Sequence, residues 1–472
     1  MIAWSVHWAG SDMTYLLAIL FGLSTSFAFK PFALWPFAII GFAGLFWLLN
    51  KSRFYQRLVI SYLFGLSFLL TVQHWTSTYV GSFPWLILGL IEASFFLIPA
   101  LLIKRRHRYN QIIFALSIVL VELALRTIPF TGFGWSRVGF TQIDSPIASL
   151  YPVGGVVLVT FYVSLLSASR RAVSVISLVL VPPLVSLIPP AVTFNEPVKV
   201  ALVQGGVVNL GLDFNSVAKE LFTRHLDQSI RSIAPGVVDL VIWPENSVDV
   251  DIGVNTDVST KITNLSSQIA TPILISGVQK NVYGKQNQAI LFDPQIKQIY
   301  TKRYLTPFGE YIPLRAIAEK VSKYASQVSD ISAGDKETIF EIEDARFQSL
   351  ICYELIDDRL IRQVKSDFLV IQTNNATFGD TPQLDQQHNI ARVRAAEIAR
   401  YVPYVSTTGI TSFIGPKGEI ISQVEKFDPA TLIGEATKAS GETYAQKYGM
   451  YLELIAIFGV IGLLLLRRKG SE

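Results

Sequence analysis

The chain has 472 residues, of which 50% are hydrophobic and only 16% are charged, and it contains one cysteine. A single thiol cannot form an intramolecular disulfide or a cysteine-based metal cluster, which excludes disulfide scaffolds, zinc ribbons and iron–sulfur domains. Soluble domains average about 25% charged residues, so this composition, with a mean hydropathy of +0.40, indicates a membrane protein. No basic run with interleaved aromatic residues stands out, and the sequence predicts no nucleic-acid surface.

The net charge of +4 is the sum of two unlike regions. Residues 1–193 contain 12 Lys and Arg and 4 Asp and Glu, whereas the rest of the chain contains 28 and 32. We therefore predict an N-terminal membrane domain at 1–193, an extramembrane domain at 194–449, and a C-terminal span with a basic tail at 450–472.

A membrane-spanning helix needs about 20 mostly apolar residues. The pattern predicts seven in the N-terminal region and one at the C-terminus, about eight spans in all: 12–29, 33–50, 58–76, 83–103, 110–126, 152–169, 172–192 and 450–466. If the loops alternate, twelve Lys and Arg collect on one side and three on the other. The positive-inside rule then predicts cytoplasmic termini and an outward-facing 193–449 segment.

Glu92 and Glu122 are carboxylates inside predicted spans, at 83–103 and 110–126. Glu122 lies one helical turn before Arg126, so we expect a structural ion pair between these two side chains. Glu92 has no such partner in the sequence, and we expect it to face the bundle interior or a polar cavity.

Short β-type runs alternate with helical runs between about residues 196 and 445, which predicts an α/β domain of about 250 residues. Buried strands are predicted at 198–204, 240–243, 272–277, 289–292, 347–353, 368–373 and 405–414. Helices are predicted at about 213–233, 257–269 and 385–400.

Three reactive side chains lie at or beyond strand ends in this domain: Glu245, Lys302 and Cys352. Each alone has an ordinary interpretation, as a turn acid, a solvated lysine or a small core thiol. Together they can form a nucleophilic site, because a thiol needs a base or a cation to become a thiolate at neutral pH, and a lysine can neutralise an oxyanion. The competing arrangement is a Cys–His site with His225 or His388 as base, which is disfavoured because neither histidine lies at a strand end.

These residues and their flanks resemble the nitrilase superfamily and, with the spans around them, the apolipoprotein N-acyltransferase family. The resemblance covers nearly the whole chain and depends on motifs that occur in order: Phe21-Gly22, Ala28–Phe32, Gln142–Pro146, Val203–Gly205, Trp243–Glu245, Pro307–Tyr311, Ile351–Glu354, Phe378–Asp380 and Arg394–Glu397. It implies an αββα sandwich and a multi-pass enzyme of the bacterial inner membrane whose catalytic domain faces the periplasm.

The resemblance also implies residue roles: Glu245 as general base, Lys302 as oxyanion stabiliser and Cys352 as acyl-accepting nucleophile. Supporting roles are implied for Glu310, Tyr353 and Glu354, and we expect substrate contacts at Phe214, Phe308, Asn375 and Phe378. The chain departs from the family pattern in that Phe214 is the nearest aromatic residue where Trp is common, and Asn375 and Thr377 replace Asp and Trp. These departures concern substrate detail rather than the chemistry.

The implied reaction transfers an acyl chain from a phospholipid, through a cysteine thioester, to the α-amine of the N-terminal diacylglyceryl-cysteine of an apolipoprotein. No cofactor or metal is implied, and a monomer is expected. One alternative is a membrane-tethered amidase that uses water as acceptor. Another is a transporter or scaffold with an inactive sensory domain, for which Cys352 would be dispensable.

Overall fold

The computed structural model describes residues 2–169, 172–188, 191–321, 326, 328–343 and 345–469. The chain forms two units, Met1–Pro189 with Tyr444–Glu472, and Pro190–Thr443. The helices are α1 (Ile2–Ser26), α2 (Pro36–Lys51), α3 (Phe54–Val72), α4 (Ser77–Val80), α5 (Ser82–Phe95), α6 (Leu97–Leu102), α7 (Asn110–Leu125), α8 (Tyr151–Ala168), α9 (Ala172–Val185), α10 (Glu220–Ser232), α11 (Thr256–Ile269), α12 (Arg315–Val321), α13 (Asp358–Arg362), α14 (Pro382–Ile398) and α15 (Tyr444–Lys469).

The described residues of the first unit form helices joined by turns and loops. Four of its helical segments are long and apolar enough to cross a membrane: Phe54–Val72, Ser82–Leu102, Pro146–Ala168 and Tyr444–Leu466. Three further apolar helices are shorter, at Asp12–Ser26, Pro36–Lys51 and Asn110–Leu125. The four long segments coincide with predicted spans, while the total of about eight stays a prediction.

Of the two carboxylates discussed for the predicted spans, Glu122 has a different partner from the one expected. Glu122 does not pair with Arg126: its Oε2 lies 3.2 Å from Nε of Arg137, while Arg126 pairs with Glu453. The prediction failed because helical spacing considers only neighbours on one helix, whereas the 3₁₀ segment after α7 brings Arg137 back to that helix. Glu92 is buried, as expected, and accepts a hydrogen bond of 2.6 Å from the Gln73 amide.

The second unit contains two six-stranded sheets. Its strands are β1 (Val192–Gln204), β2 (Leu240–Ile242), β3 (Ile273–Asn281), β4 (Gly284–Asp293), β5 (Gln295–Thr301), β6 (Phe340–Ile342), β7 (Ala345–Ile351), β8 (Phe368–Thr373), β9 (Val402–Ser406), β10 (Thr411–Ile414), β11 (Ile420–Val424) and β12 (Ala430–Gly441). The strand orders are β12-β1-β2-β3-β4-β5 and β11-β10-β9-β8-β7-β6. Parallel pairing joins β1 to β2 and β2 to β3 in the first sheet, and β7 to β8 and β8 to β9 in the second. Two antiparallel pairings, β3 to β4 and β4 to β5, give β5 the same direction as β2 and β3.

Alternating side chains of the strands form two separate cores. Val200 and Leu202 of β1 pack with Phe347 and Val370 of the other sheet, whereas Ala201 faces the opposite side, against α10 and α11. Successive strand residues point to opposite faces, so one apolar strand fills both a sheet–sheet core and a sheet–helix core. With α14 packed on the second sheet, the layers are those of the expected αββα sandwich.

The strand predictions missed the edges of both sheets. β5, β6, β11 and β12 were not predicted, because their alternate residues are exposed and the apolar runs are interrupted. The predicted strand 405–414 is two antiparallel strands, β9 and β10, separated by a turn at 407–410. The helix predicted at 213–233 begins only at Glu220.

Candidate active site

Three strand ends carry the predicted reactive residues. Glu245 lies three residues after β2, Lys302 follows β5 directly, and Cys352 follows β7 directly. All three lie in the second unit, and the structure brings them together: the Glu245 carboxylate interacts with both the Lys302 ammonium and the Cys352 thiol. The predicted Glu–Lys–Cys group is therefore one spatial cluster.

A sharp turn of the backbone presents the cysteine. β7 ends at Ile351, two residues before the predicted limit, and Cys352 begins a 3₁₀ helix that extends to Ile356. Its φ of +53° is left-handed, which costs a non-glycine residue roughly 1–2 kcal/mol. The turn places Cys352 at the end of the sheet, where the residue is half-buried and packs against the sheet–sheet core.

Lys302 is held between two carboxylates. Its Nζ lies 2.9 Å from Oε2 of Glu310 and 3.5 Å from Oε1 of Glu245, and the lysine side chain is 1% exposed. Asn287 of β4 reinforces this arrangement, because its Nδ2 donates to Oε1 of Glu245 at 2.9 Å and to Oε1 of Glu310 at 3.1 Å. Four polar side chains are thus packed into one buried network.

The pKa values of the residues in this network are shifted in different directions. Burial raises the pKa of Glu245, and the nearby charge of Lys302 only partly opposes this effect. Burial alone would also raise the pKa of Glu310, but its short pair with Lys302 leaves that pKa below the ordinary value. For Lys302, burial favours the neutral amine, yet the Glu310 and Glu245 carboxylates outweigh it and raise its pKa. Glu310 and Lys302 are therefore a charged pair, whereas Glu245 is better able to accept and return a proton.

The thiol is not a thiolate by default. Burial and the negative charge of Glu245 raise the pKa of Cys352 to about 12, while Lys302 acts in the opposite direction. Such a thiol needs a base in contact with it. Glu245 is in contact with the thiol, where such a base would have to lie, and its Oε2 accepts a hydrogen bond of 2.9 Å from the backbone N–H of Asn374.

Glu354 connects the cysteine turn to the lysine loop. Its Oε1 accepts hydrogen bonds from the Tyr300 hydroxyl at 2.8 Å and from the backbone N–H groups of Arg303 and Tyr304 at 2.7 and 3.1 Å. Its Oε2 accepts from the N–H of Ile351 at 2.8 Å. The ring of the adjacent Tyr353 stacks on Tyr304, with centroids 5.6 Å apart. Glu354 and Tyr353 therefore position the lysine and the cysteine relative to each other.

The four residues predicted to touch substrate have unlike surroundings. Phe308 is 57% exposed, with a left-handed φ of +63°, and Phe214 and Phe378 are half-buried. Asn375 is 1% exposed, and its amide is engaged by Gln383, Gln387 and Ser406. This environment gives Asn375 an internal hydrogen-bonding role. Substrate contact at the three phenylalanines stays a prediction.

Neither histidine of the competing Cys–His arrangement is in hydrogen-bond contact with the thiol. His225 is fully buried, bonds to the Leu221 carbonyl at 2.7 Å, and burial lowers its pKa to about 4. His388 bonds to the Ser412 hydroxyl at 2.7 Å. Within the described part of the chain, no group of three His, Cys, Asp or Glu side chains is arranged to hold a metal ion.

Sequence reasoning missed two polar residues of the site, Asn287 and Gln387. Gln387 lies on α14, and its Nε2 is 3.4 Å from the sulfur of Cys352. A signal was present in each case: Asn287 is the centre of a Gln-Asn-Gln run inside a strand, and Gln387 follows another Gln on a buried helix. Polar residues buried at such positions require partners, but the sequence does not tell which partners they have.

Comparison with known proteins gives matches to both units. Residues 21–169 match the family model of the apolipoprotein N-acyltransferase N-terminal domain, and residues 199–446 match the carbon-nitrogen hydrolase model. A curated apolipoprotein N-acyltransferase of Mycolicibacterium smegmatis is 30% identical, over 94% of this chain and 83% of its own length. One of Haemophilus influenzae is 28% identical, over 93% and 92%. Among solved structures, a CN-hydrolase superfamily protein of Xanthomonas campestris is 18% identical, with a TM-score of 0.39, covering 51% of this chain and 91% of its own.

Proposed function

We propose a thioester mechanism for this chain, which belongs to the apolipoprotein N-acyltransferase family and is a membrane enzyme that acylates lipoproteins. The observation that supports the mechanism is the buried cluster in which Glu245 contacts both Lys302 and Cys352. It contains a nucleophile, a base with a raised pKa and a fixed cation, which are the groups that acyl transfer requires.

In the first step Glu245 takes the proton of the Cys352 thiol, and the sulfur attacks the carbonyl carbon of a phospholipid acyl ester. A C–S bond forms, and the carbonyl oxygen becomes an oxyanion. The Lys302 ammonium and backbone N–H groups near Tyr353 stabilise that oxyanion. The ester C–O bond then breaks, and Glu245 returns its proton to the departing lysophospholipid oxygen.

In the second step the α-amine of a diacylated apolipoprotein attacks the thioester carbonyl. Glu245 accepts a proton from the amine, the C–N bond forms and the C–S bond breaks. Glu245 gives that proton to the departing sulfur, which regenerates the thiol, and the product is an N-acylated lipoprotein. No cofactor takes part in either step.

Glu310, Tyr353 and Glu354 support the reaction without entering it. Glu310 keeps Lys302 charged through a contact of 2.9 Å. Glu354 fixes both Ile351, just before the nucleophile, and Arg303, just after the lysine. Catalysis by such a group depends on holding the reacting atoms in place to within a fraction of an ångström.

We propose the topology that the charge distribution predicts. About eight spans, with both termini in the cytoplasm, would hold the catalytic domain on the periplasmic side of the inner membrane. The domains would be 1–193, 194–449 and 450–472, and the enzyme would act as a monomer. Both substrates carry lipid anchors, so a catalytic domain tethered between spans meets them at the membrane surface. Accessibility labelling of cysteines introduced on a Cys352→Ser background, one in a loop and one in the 194–449 segment, tests this orientation.

Mass spectrometry tests the thioester directly. The full-length protein is incubated with phospholipid, and an acyl adduct is expected on wild type and absent from Cys352→Ala. Because the chain has one cysteine, there is no other thiol to carry the adduct. An adduct on both proteins would locate the acyl group elsewhere and overturn the mechanism.

A second assay separates transfer from hydrolysis. Phospholipid and a diacylated lipopeptide are supplied together, and the triacylated peptide is expected to appear in a Cys352-dependent reaction. Release of free fatty acid alone would instead support the amidase-type alternative with water as acceptor. The catalytic residues are the same in both cases, so only the identity of the product distinguishes them.

A further inference from the structure

Two buried polar side chains that the proposed mechanism leaves unused, Thr373 and Gln387, meet the reacting sulfur, and Gln387 is the one whose role depends on its orientation. It lies on α14, is 0% exposed, and its Nε2 is 3.4 Å from Sγ of Cys352, within hydrogen-bonding distance for a sulfur acceptor. A glutamine is never charged, so it can act on the sulfur only by donating an N–H. What it does therefore depends on which end of its amide faces the thiol.

The orientation of the amide follows from a chain of hydrogen bonds that starts at a group able only to donate. The backbone N–H of Gly409 donates to Oγ of Ser406 at 2.8 Å, and the Ser406 hydroxyl donates to Oδ1 of Asn375 at 2.7 Å. This leaves Nδ2 of Asn375 to donate to Oε1 of Gln387 at 2.6 Å. The amide ends of Asn and Gln are assigned from such partners. The nitrogen of Gln387 therefore faces Cys352.

Other donors converge on the same oxygen. The hydroxyl of Thr373 lies 3.0 Å from Oε1 of Gln387, and Nε2 of Gln383 and the Tyr404 hydroxyl each lie 3.3 Å from it. Turning the amide over would place its NH₂ group against the Asn375 and Gln383 amide nitrogens, which are themselves donors. A buried amide in that orientation would lose several hydrogen bonds, so the surroundings fix one orientation.

We infer that Gln387 is a catalytic residue, which donates its amide N–H to the Cys352 sulfur. This hydrogen bond stabilises the thiolate twice, when it forms before attack on the ester and when it departs from the thioester. The inference rests on the proposed function for its place in the reaction. When the thiol loses its proton to Glu245, the sulfur becomes an anion and the N–H···S contact becomes a charge-assisted bond, which is stronger than a neutral one. When the amine later displaces the thioester, the C–S bond breaks and the same N–H receives the departing sulfur.

The charged and titratable groups around the sulfur do not replace the neutral N–H donor that Gln387 supplies. Glu245 and Lys302 approach from the first sheet, and Tyr404 faces the thiol from β9, where burial and the cysteine keep the pKa of the phenol above its ordinary value. Glu310 acts through Lys302. Lys302 already forms an ion pair with Glu310, so its positive charge is partly neutralised. The Gln387 amide is an uncharged donor, and it reaches the sulfur from α14, which packs on the second sheet.

Alkylation of the single cysteine by iodoacetamide, followed across neutral and alkaline pH in the full-length protein in detergent, tests the inference. Gln387→Leu removes the donor and raises the pKa of the thiol, so the pH profile of the alkylation rate is expected to shift upward by about one unit. At any fixed pH below the pKa of the thiol, alkylation would then be about tenfold slower. An unchanged profile in a folded Gln387→Leu protein would overturn the inference.

A second variant tests the orientation without touching Gln387. In Asn375→Asp the carboxylate cannot donate to Oε1 and instead attracts the Gln387 NH₂ group, which turns the amide oxygen toward the sulfur. The same upward shift of the alkylation profile is expected. If Asn375→Asp alkylates like wild type, the proposed hydrogen-bond chain does not set the amide orientation.

His388→Leu is the matched control, because it removes a buried hydrogen bond of 2.7 Å from the same helix without a contact to the sulfur. It is expected to lower thermal stability and to leave the alkylation profile unchanged. Alkylation needs no acyl donor, so the result is independent of the transfer assays. A shifted profile without acyl transfer in wild type would overturn only the proposed function, and acyl transfer without a shift would overturn only the role of Gln387.

Discussion

Lys302 makes its shorter ion pair with Glu310, at 2.9 Å, rather than with the proposed general base. The pair with Glu245 is longer, at 3.5 Å, and both carboxylates are almost completely buried. The Lys302 ammonium therefore interacts with two carboxylates. It forms a close ion pair with Glu310, and it is near enough to Glu245 to oppose the rise in pKa that burial causes there. The first two predictions follow from this division.

Glu310→Gln should make thioester formation fall at alkaline pH, where wild type keeps its activity. The Glu310 carboxylate contributes most to raising the pKa of Lys302 against the effect of burial. Without that negative charge the pKa of Lys302 falls, the amine becomes neutral at lower pH, and oxyanion stabilisation is lost there. The pH profile of thioester formation should bend downward on its alkaline side. Glu319→Gln, on an exposed carboxylate paired with Arg315, is the control, and identical alkaline limbs for Glu310→Gln and wild type would contradict the prediction.

Lys302→Met should reverse the contribution of Glu310 to the pH dependence of stability. In wild type the pKa of Glu310 is lowered in the folded state, so its stabilising contribution is present above the unfolded pKa near 4.5 and is lost as pH falls. Without the cation, burial raises the pKa values of both carboxylates, and stability is instead lost as pH rises through that region. Removing one partner of a buried pair costs about 3–5 kcal/mol at neutral pH.

The measurement for Lys302→Met is the free energy of unfolding as a function of pH, in the same detergent for both proteins. Lys297→Met, on a half-exposed lysine that pairs with Asp293, is the matched control, because surface pairs contribute little. A difference in unfolding free energy between variant and wild type that does not grow as pH rises through that region would show that Lys302 does not hold Glu310 ionised.

Glu354→Gln should reduce turnover more than substrate binding. The glutamine retains one oxygen for the Tyr300, Arg303 and Tyr304 donors but presents NH₂ to the Ile351 N–H, which loses its acceptor. The expected cost is about 3 kcal/mol of stability, from hydrogen bonds to a buried charge. Steady-state kinetics should show a fall in kcat with little change in KM, because the turn at Cys352 loosens. Glu341→Gln, on the exposed face of β6, should match wild type; a Glu354→Gln enzyme with normal kcat would exclude the positioning role.

His225 should make the protein sensitive to mild acid. Burial lowers its folded-state pKa to about 4, against about 6.5 in an unfolded chain. The unfolded state therefore binds the proton first, and stability present above pH 6.5 is lost as pH falls toward 4, by up to roughly 3 kcal/mol. Unfolding followed by tryptophan fluorescence is suitable, because the Trp243 ring lies 5.8 Å from the imidazole. His225→Phe should have a flatter acid limb than wild type, and an equally steep one would place the responsible group elsewhere.

The sequence by itself predicted a division of the chain and the residues of a candidate site. The contrast in charge and hydropathy separated a helical region from an α/β region, and apolar runs located the central strands of both sheets, because buried strands have a strong local signal. Glu245, Lys302 and Cys352 were recognisable from their positions at strand ends and from the flanking motifs. The edge strands β5, β11 and β12 were not, since their exposed faces dilute that signal.

Only the tertiary structure decided which polar residues are partners. The pairing of Glu122 with Arg137, the contact between Lys302 and Glu310, and the donor from Gln387 to Cys352 join residues that are 8 to 35 positions apart. Hydrogen bonds and ion pairs depend on distances of about 3 Å, and chain spacing cannot supply such distances once separate elements pack together. The sequence thus supplied the proposed nucleophile, base and cation, while the fold decided which residues hold each of them in place.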